Sequence, residues 1–463
     1  MWNNFKEKYI GSRDFYRHII FLALPMIGQN AVTSFVSLLD NFMVGRLGTD
    51  QMTGVAIVNQ LMFVFQICVF GAVSGAGIFG TQYYGKGDYK GQKHAFRFKV
   101  YASMIIAALG ILVFGFCSSP LIKLYLTDAD KTGNIYKALE FGNDYAAVII
   151  IGLIPFALCQ AYVSSIRETG HTLIPMIASS VAVFVNLVLD IILIFGYLGL
   201  PKLGVVGAAI ATVIARYIEC IIVVVWTHRH KKINQYIIGA YKSLKINTKL
   251  LKDIFIMGTP LMLNEVLWSI GMTTVVQQYS VRGQGVVAAL SISTTISNIF
   301  NIVYIQLGSC LAIVVGQQLG AGKIKKAKDT VNKMLFFSVM CCVIIGIIMI
   351  LTGGLFPRIY NTESYVKQLA SEFIAISALV MPFCAYAHCT YFALRSGGKT
   401  IITFIFDSLF TWVIMIPCAF ILARYTNIAI EAVFFIVQFT EIIKVIIGYF
   451  MIRSEVWIQN IVE

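Results

Sequence analysis

Long apolar runs recur along the whole sequence, and this feature constrains the fold more than any other. A helix needs about 20 apolar residues to cross the hydrocarbon core of a bilayer. The chain of 463 residues is 58% hydrophobic and 13% charged, whereas soluble proteins carry about 25% charged residues. This composition argues against a cytosolic enzyme, a nucleic-acid-binding protein and a secreted disulfide-rich protein. The runs predict an all-α integral membrane protein with twelve transmembrane helices, at residues 19–44, 54–81, 99–122, 139–164, 173–198, 204–227, 253–279, 285–314, 331–355, 366–392, 401–423 and 428–452.

The lysines and arginines are distributed unequally between the two ends of the predicted helices. If the N-terminus is cytoplasmic, it and the even-numbered loops hold 25 of the 36 basic residues, and the opposite loops hold nine. Cytoplasmic loops are enriched in Lys and Arg. The bias predicts a multi-pass protein of the cell (plasma) membrane with both termini in the cytoplasm. It also accounts for the net charge of +14 without a nucleic-acid partner.

The two halves of the chain resemble each other at a nearly constant offset. Pro25 matches Pro260, which lies 235 positions later, and the TQYYGKG turn matches GQQLGAG at the same offset. The sequence RETGHT matches RSGGKT at an offset of 228. Six helices per repeat is an even number, so both halves enter the membrane from the same side, and a pseudo-two-fold axis along the membrane normal relates them. The predicted organisation is an N-terminal six-helix lobe at 1–228, a cytoplasmic linker at 229–252 and a C-terminal six-helix lobe at 253–463.

These repeated motifs carry a resemblance to a known family. The segment LALPMIGQNAVTSFVSLLDNFMVGRLG, the GTQYYGKGD turn with its GQQLGAGK counterpart, and the repeated Arg-x-x-Gly-x-Thr resemble the multidrug and toxic compound extrusion (MATE) transporters. The resemblance extends along essentially the whole chain. It implies a secondary active antiporter that exports organic, often cationic, compounds by alternating access in exchange for H+ or Na+. It further implies small-molecule substrates, a bilayer environment, no cofactor besides the coupling ion, and function as a monomer.

Carboxylates at membrane depth are costly and therefore suggest function. Asp40 lies in the first span, and Asn186 and Asp190 lie four residues apart in the fifth, on one helix face. Thr212 in the sixth span adds a hydroxyl, and hard cations favour such oxygen ligands. The set resembles the cation site in the amino-terminal lobe of DinF-like MATE proteins. This resemblance implies cation coupling at all four residues, with a candidate Na+ site at Asp40, Asn186 and Asp190.

Two further residues have expected roles in transport. Glu265 in the seventh span resembles the glutamate of the second lobe in NorM-like MATE proteins, which implies a place in the substrate cavity or in a second cation site. That branch also carries an Asp in the tenth span, but the corresponding stretch MPFCAYAHCTYFALR contains no acid. Pro25 removes a backbone donor within the first span and predicts a kink there. The hypothesis is that cation binding changes the bending of this span.

The remaining charges within the predicted spans are interpreted as structural. Arg216 and Glu219, like Glu441 and Lys444, have the i, i+3 spacing that allows a pair on one helix. Asp407 lacks such a partner, and the sequence assigns it no role.

Three other functions are alternatives to export. A lipid-linked saccharide flippase of the same superfamily shares the two-lobe plan, but it is expected to carry cationic residues in its central cavity. An intramembrane enzyme requires a nucleophile–base or metal constellation, and the sequence has no H-E-x-x-H or G-x-S-x-G motif. A channel does not explain the two-fold repeat with acids near the membrane midplane.

Overall fold

The computed structural model describes residues 2–126, 134–197, 199, 201–243, 245–360 and 362–462. In this part of the chain the regular structure is helical. The first half contains eight α-helices: α1 (Trp2–Tyr9), α2 (Arg13–Gly45), α3 (Thr49–Lys86), α4 (Tyr89–Lys123), α5 (Ile135–Ile149), α6 (Leu153–Glu168), α7 (Leu173–Phe195) and α8 (Val205–Arg229). The second half contains nine: α9 (Thr248–Ser280), α10 (Gln284–Gly320), α11 (Ile324–Gly353), α12 (Phe356–Ile359), α13 (Ser364–Ser396), α14 (Thr400–Phe404), α15 (Ile416–Tyr425), α16 (Ile430–Phe439) and α17 (Glu441–Arg453).

Eleven helical segments among the described residues are long and apolar enough to cross a membrane. They coincide with the first eleven predicted spans. The twelfth predicted span, 428–452, is formed by α16 and α17, which are separated at Thr440. The Thr440 hydroxyl donates to the carbonyl of Val437 at 2.6 Å, and the Thr440 amide donates to the same carbonyl at 3.2 Å. This local turn interrupts the helix because both groups bond three residues back rather than four.

The first span continues as one helix through Pro25, since α2 runs from Arg13 to Gly45. The eleventh span is less regular. Between α14 and α15 the backbone forms two π-helical turns, at Ile405–Leu409 and at Thr411–Met415. Such turns are rare and often occur at functional or strained positions. Asp407 lies in the first of them.

The chain divides into two compact units, each with its own cores. The N unit comprises Gly28–Gly80 and Asp88–Phe255, and the C unit comprises Met1–Ile27, Thr81–Gly87 and Ile256–Glu463. Each unit buries apolar clusters of mainly Val, Leu, Ile, Ala and Phe. Large apolar side chains on the outer face of α4 are exposed, as a lipid-facing surface requires; they are Ile105, Leu109, Leu112 and Phe116.

The basic segment after α8 packs on the N unit. The Arg97 guanidinium donates to the carbonyls of Gly239, Ala240 and Lys245 at 3.0, 2.6 and 2.9 Å. Tyr236, in a short 3₁₀ turn of this segment, has no exposed surface. The linker segment is therefore packed against the N unit and held by these hydrogen bonds.

The repeated glycine turns have two different structural causes. Gly87 and Gly322 have positive φ angles of 77° and 70°, which glycine adopts without a Cβ penalty. Gly85 and Gly320 instead allow a close approach within the C unit. A Cβ on Gly85 would overlap the backbone of Gln317, and a Cβ on Gly320 would overlap the backbone of Gln82. The helices α3 and α10 thus approach each other through equivalent positions of the two repeats, since each glycine faces the backbone of the glutamine from the other repeat.

Replacing Gly85 with Ala is expected to destabilise the protein by about 1–3 kcal/mol, because the new methyl group meets backbone that cannot rotate away. Gly320→Ala is expected to have a similar effect. The double variant should lose less stability than the two single variants added together, because one separation of the helices accommodates both methyl groups. Thermal unfolding in detergent tests this, with Gly115→Ala as control because that Cβ would meet nothing within 4 Å. Equal melting temperatures for Gly85→Ala and the control would contradict the close approach.

Candidate functional site

A cavity of about 490 Å³ lies within the N unit, between α2, α3, α5, α7 and α8. Three of the four residues predicted to couple cations line it: Asp40, Asp190 and Thr212. Its other polar lining residues are Ser37, Asn41, Asn59, Gln60, Gln66, Tyr145 and Arg216. The cavity therefore has a polar wall inside the helix bundle of the N unit.

Two carboxylates face each other in this cavity. Asp40 and Asp190 lie within interaction distance of each other, and Asp190 is only 1% exposed. Both carboxylate oxygens of Asp190 and the Oδ1 atom of Asp40 are buried and accept no hydrogen bond. No lysine, arginine or histidine nitrogen of the described chain lies within 4.0 Å of either carboxylate. Two adjacent carboxylates in a low-dielectric site repel each other, so a proton or a metal cation would stabilise the pair.

The surrounding side chains supply oxygen atoms. Asn186 lies beside Asp190, as the i, i+4 spacing predicts, although its buried Nδ2 atom donates no hydrogen bond. The Tyr145 hydroxyl donates to Oδ1 of Asn59 at 3.3 Å and lies next to Thr212. Carboxylate, amide and hydroxyl oxygens form a donor set that suits a hard cation such as Na+. The residues present therefore fit either a proton or a sodium ion.

Arg216 does not have the predicted partner. It forms no ion pair with Glu219 within 4.0 Å; its guanidinium lies 5.2 Å from the centre of the Phe156 ring. Glu219 instead accepts a hydrogen bond from the Ser179 hydroxyl. The two charges interact only at longer range, so the predicted i, i+3 ion pair is not formed, and Arg216 lines the cavity. Arg216 places a positive charge in the cavity wall, which the sequence pattern did not indicate.

The equivalent positions of the second repeat are apolar. At the offset of 235, Asp40 corresponds to Val275, and at the offset of 228, Asp190 corresponds to Cys418. Val275 is 3% exposed and belongs to an apolar core of the C unit, against which Cys418 packs. The repeat thus forms a stable bundle with apolar residues at these positions. The two aspartates are not required by the fold, which favours a functional role.

The C unit holds a different polar cluster, centred on Lys444. The Lys444 ammonium lies 3.1 Å from Asp407 and 3.1 Å from Glu441. Asn264 adds a hydrogen bond from its Nδ2 to Oδ2 of Asp407 at 3.2 Å and accepts one from the Ser408 hydroxyl at 2.8 Å. The i, i+3 pair of Glu441 and Lys444 is confirmed. The prediction that Asp407 lacks a partner is wrong, because its partners lie on other spans.

An equivalent arrangement occurs in the N unit with different charges. Gln29 donates to the Ser179 hydroxyl at 2.7 Å, and Ser179 donates to Glu219. Gln29 and Asn264 are equivalent at the offset of 235, and Ser179 and Asp407 at 228. Counting spans within each repeat, the first span of each unit contributes an amide, the fifth a serine or an aspartate, and the sixth a charged residue. Hydrogen bonds join these three side chains in both units.

Glu265 lies near Tyr391 and Arg395 in the C unit. Arg395 is the second-repeat member of the Arg-x-x-Gly-x-Thr motif. Both neighbours come from the tenth span, where the sequence offered no acid. The nearby His388 ring packs edge-on against Tyr304, with ring centres 4.8 Å apart. Asp407 also interacts with Glu265, but its carboxylate is already paired with Lys444, so the surroundings of Glu265 combine a cation, a phenol and a neutralised acid.

The two halves of the chain also match one family description. The MatE family model matches residues 25–192 and 260–421. The chain belongs to the MATE family. The two matched segments begin 235 positions apart, which is the offset of the internal repeat. Because MATE proteins are transporters, this MATE protein is a transporter and not an enzyme.

Relatives and solved structures cover nearly the whole chain. The probable multidrug resistance protein NorM of Thermotoga maritima is 23% identical over 420 residues, which cover 89% of this chain and 87% of the relative. The probable multidrug resistance protein YoeA of Bacillus subtilis is 22% identical over 438 residues, which cover 94% and 93%. The bent form of the Vibrio cholerae MATE transporter VcmN superposes with a TM-score of 0.85 at 19% identity, covering 96% and 99% of the chains. The expected two-lobe fold of six helices each is confirmed.

Proposed function

We propose that this MATE protein is a multidrug antiporter that exports organic, mainly cationic, compounds in exchange for H+ or Na+. The observation that carries the proposal is the Asp40–Asp190 pair, whose carboxylates are adjacent, largely buried and without a protein cation within 4.0 Å. The relatives named as probable multidrug resistance proteins support the substrate class. The grouping of these two aspartates with Asn186 and Thr212 also supports a place in the DinF-like branch.

Coupling is assigned to the N unit alone. In the C unit the Lys444 ammonium lies between Asp407 and Glu441, at 3.1 Å from each, and leaves that cluster with one net negative charge instead of two. The Asp40–Asp190 pair of the N unit has no ammonium or guanidinium within 4.0 Å, although Arg216 lines the same cavity, so a cation from solution is proposed to bind the pair. Antiport follows when the cation and the substrate prefer different conformations. A cation that binds Asp40 and Asp190 then favours the conformation that binds substrate weakly.

The proposal also includes the orientation of the chain in the membrane. The excess of lysine and arginine at the membrane end that carries both termini supports a cytoplasmic location for both termini.

Three further features complete the proposal. Each unit encloses its own polar cluster without a second copy of the chain, which supports function as a monomer. Pro25 remains the proposed bending point of the first span. Glu265, with its neighbouring arginine and tyrosine, is proposed to line the substrate cavity.

Ethidium export from proteoliposomes tests the proposal. A Na+ gradient at constant pH and a pH gradient without Na+ are imposed separately on vesicles that contain the purified protein. We expect at least one gradient to drive ethidium out against its concentration gradient, while vesicles with collapsed gradients show none. Failure of both gradients would contradict antiport and would favour the flippase alternative.

A further inference from the structure

A second cavity, of about 590 Å³, lies in the C unit at the membrane end that carries both termini. It shares no lining residue with the cation cavity of the N unit. Lys8 of α1, Lys328 of α11, Tyr386 of α13 and Arg453 of α17 line it from four sides, and Trp457 closes it from the C-terminal segment. Transport does not explain a cavity built here by the two ends of the chain.

Positive charge dominates this cavity. Lys8, Lys328 and Arg453 contribute three cations, and the carboxylate among the lining residues belongs to Glu455. Lys328 neutralises Glu455 at 2.6 Å. Lys8 and Arg453 form no ion pair with any carboxylate of the described chain. Two uncompensated cations therefore face one cavity, and a guanidinium with an ammonium is a combination that binds phosphate oxygens.

Aromatic side chains form much of the remaining wall. Tyr9 and Phe336 pack with ring centres 6.2 Å apart, and the Arg453 guanidinium donates to the Tyr449 hydroxyl at 3.3 Å. Trp457 is 1% exposed, and its indole donates to the carbonyl of Ile452 at 3.3 Å. Tyr and Trp concentrate at the level of lipid headgroups, where a ring meets both hydrocarbon and water. A cavity with cations and rings at the end of membrane helices matches a headgroup better than a soluble anion.

The N-terminal helix makes the cavity concave. The helix α1 packs against α11 through Tyr9 and Phe336. The chain then turns at Gly11, whose amide donates to the Tyr16 hydroxyl at 3.0 Å, before α2 begins. Without α1 the cavity would lose Lys8 and Tyr9. A ligand that bridges Lys8 and Arg453 would hold α1 against the end of α17.

We propose that this cavity binds the phosphate-bearing headgroup of an anionic phospholipid. Lys8 and Arg453 bind the phosphate, the Lys328–Glu455 pair bounds the site, and the aromatic wall contacts the glycerol and the first acyl carbons. Basic pockets between transmembrane helices bind acidic headgroups in this way. The volume of about 590 Å³ accommodates more than a phosphate ion. The site is separate from the coupling site and does not depend on which cation drives transport.

Native mass spectrometry of the full-length protein in nonionic detergent tests this, with phosphatidylglycerol and phosphatidylcholine offered at equal concentration. We expect wild type to retain one phosphatidylglycerol preferentially. Lys8→Gln/Arg453→Gln should weaken this retention about 30-fold, at about 1 kcal/mol for each cation near the membrane surface. The matched control is Lys325→Gln/Lys326→Gln, which removes two exposed cations near Lys328 that do not line the cavity. The control should change retention less than about threefold.

Several outcomes would overturn the proposal. Equal losses in the two double variants would show general surface electrostatics, and equal retention of phosphatidylcholine would remove the requirement for an anionic headgroup. Displacement of the lipid by an equal concentration of inorganic phosphate would assign the site to free phosphate. If the Lys8/Arg453 double variant does not fold, Lys8→Gln alone, on the exposed end of α1, is expected to weaken retention about fivefold. Unchanged retention in that single variant would also contradict the site.

Discussion

Replacing Asp40 with Asn is expected to remove the cation dependence of substrate binding. In the wild type, raising the H+ or Na+ concentration should weaken binding of a lipophilic cation such as tetraphenylphosphonium by about 5–150-fold, the usual range of coupling between two sites. The amide keeps the size of the carboxylate but removes one of two adjacent negative charges. A lone Asp190 carboxylate, beside a neutral amide, holds an exchangeable cation less strongly. Equilibrium binding at several pH values and Na+ concentrations measures the effect.

The control for this experiment is Asp144→Asn, which neutralises an exposed aspartate of α5 outside the cavity. It should retain the full cation dependence. Asp190→Asn should behave like Asp40→Asn, because the pair acts as one site. If Asp40→Asn binds the substrate with undiminished dependence on the coupling cation, the cation acts elsewhere and the assignment fails.

Replacing Lys444 with Met is expected to destabilise the protein by about 3–5 kcal/mol, the cost of leaving buried charges without their partner. Asp407 and Glu441 would then both lack the ammonium that lies 3.1 Å from each. The matched control is Lys333→Met, which breaks an i, i+4 pair with the half-exposed Asp329. That change should cost less than about 1 kcal/mol. Chemical or thermal unfolding in detergent compares the two.

The same cluster allows a rescue experiment. The triple variant Lys444→Met/Asp407→Asn/Glu441→Gln removes all three charges at similar side-chain size. Replacing a whole buried ion cluster by neutral groups is often neutral or stabilising, so the triple variant should be more stable than Lys444→Met alone. A Lys444→Met protein as stable as wild type would show that the Lys444 ammonium does not stabilise Asp407 and Glu441, and would contradict this interpretation of the cluster.

Most of the fold follows from the sequence. Apolar runs and turn residues locate the spans because a bilayer leaves few alternatives to the helix. The internal repeat predicts two equivalent bundles without any coordinates. The break at Thr440 and the π-helical turns around Asp407 were not predictable in this way, since they depend on single backbone hydrogen bonds within apolar sequence.

The candidate site was only partly predictable. The i, i+4 spacing and the family resemblance placed Asn186 and Asp190 on one face, and the structure puts Asp40 opposite them. Tyr145 carries no sequence signal, because an isolated tyrosine in an apolar span is usually a packing residue. The amides of the second span do carry a sequence signal, because Asn59 and Gln66 lie seven residues apart, two turns along one helix face.

Charged partners on different spans were the main source of error. Local spacing pairs Arg216 with Glu219, but no ion pair forms between them within 4.0 Å. It also leaves Asp407 without a partner, although Lys444 lies 37 positions away and bonds to it. Helix-face arguments cover only i, i+3 and i, i+4 neighbours. The turn glycines show the same limit. The positive φ of Gly87 is a local property, whereas the close approach at Gly85 requires residue 317.

Gradient-driven ethidium export by wild type, Asp190→Asn and Asp144→Asn in matched proteoliposomes tests the central claim most directly. The claim is that a cation bound at the Asp40–Asp190 pair drives export. Wild type and Asp144→Asn should export ethidium under whichever of the Na+ and pH gradients is the driving force. Asp190→Asn, incorporated at equal density and with an unchanged melting temperature, should export none above the rate of protein-free vesicles. Export by Asp190→Asn at the wild-type rate would contradict the account.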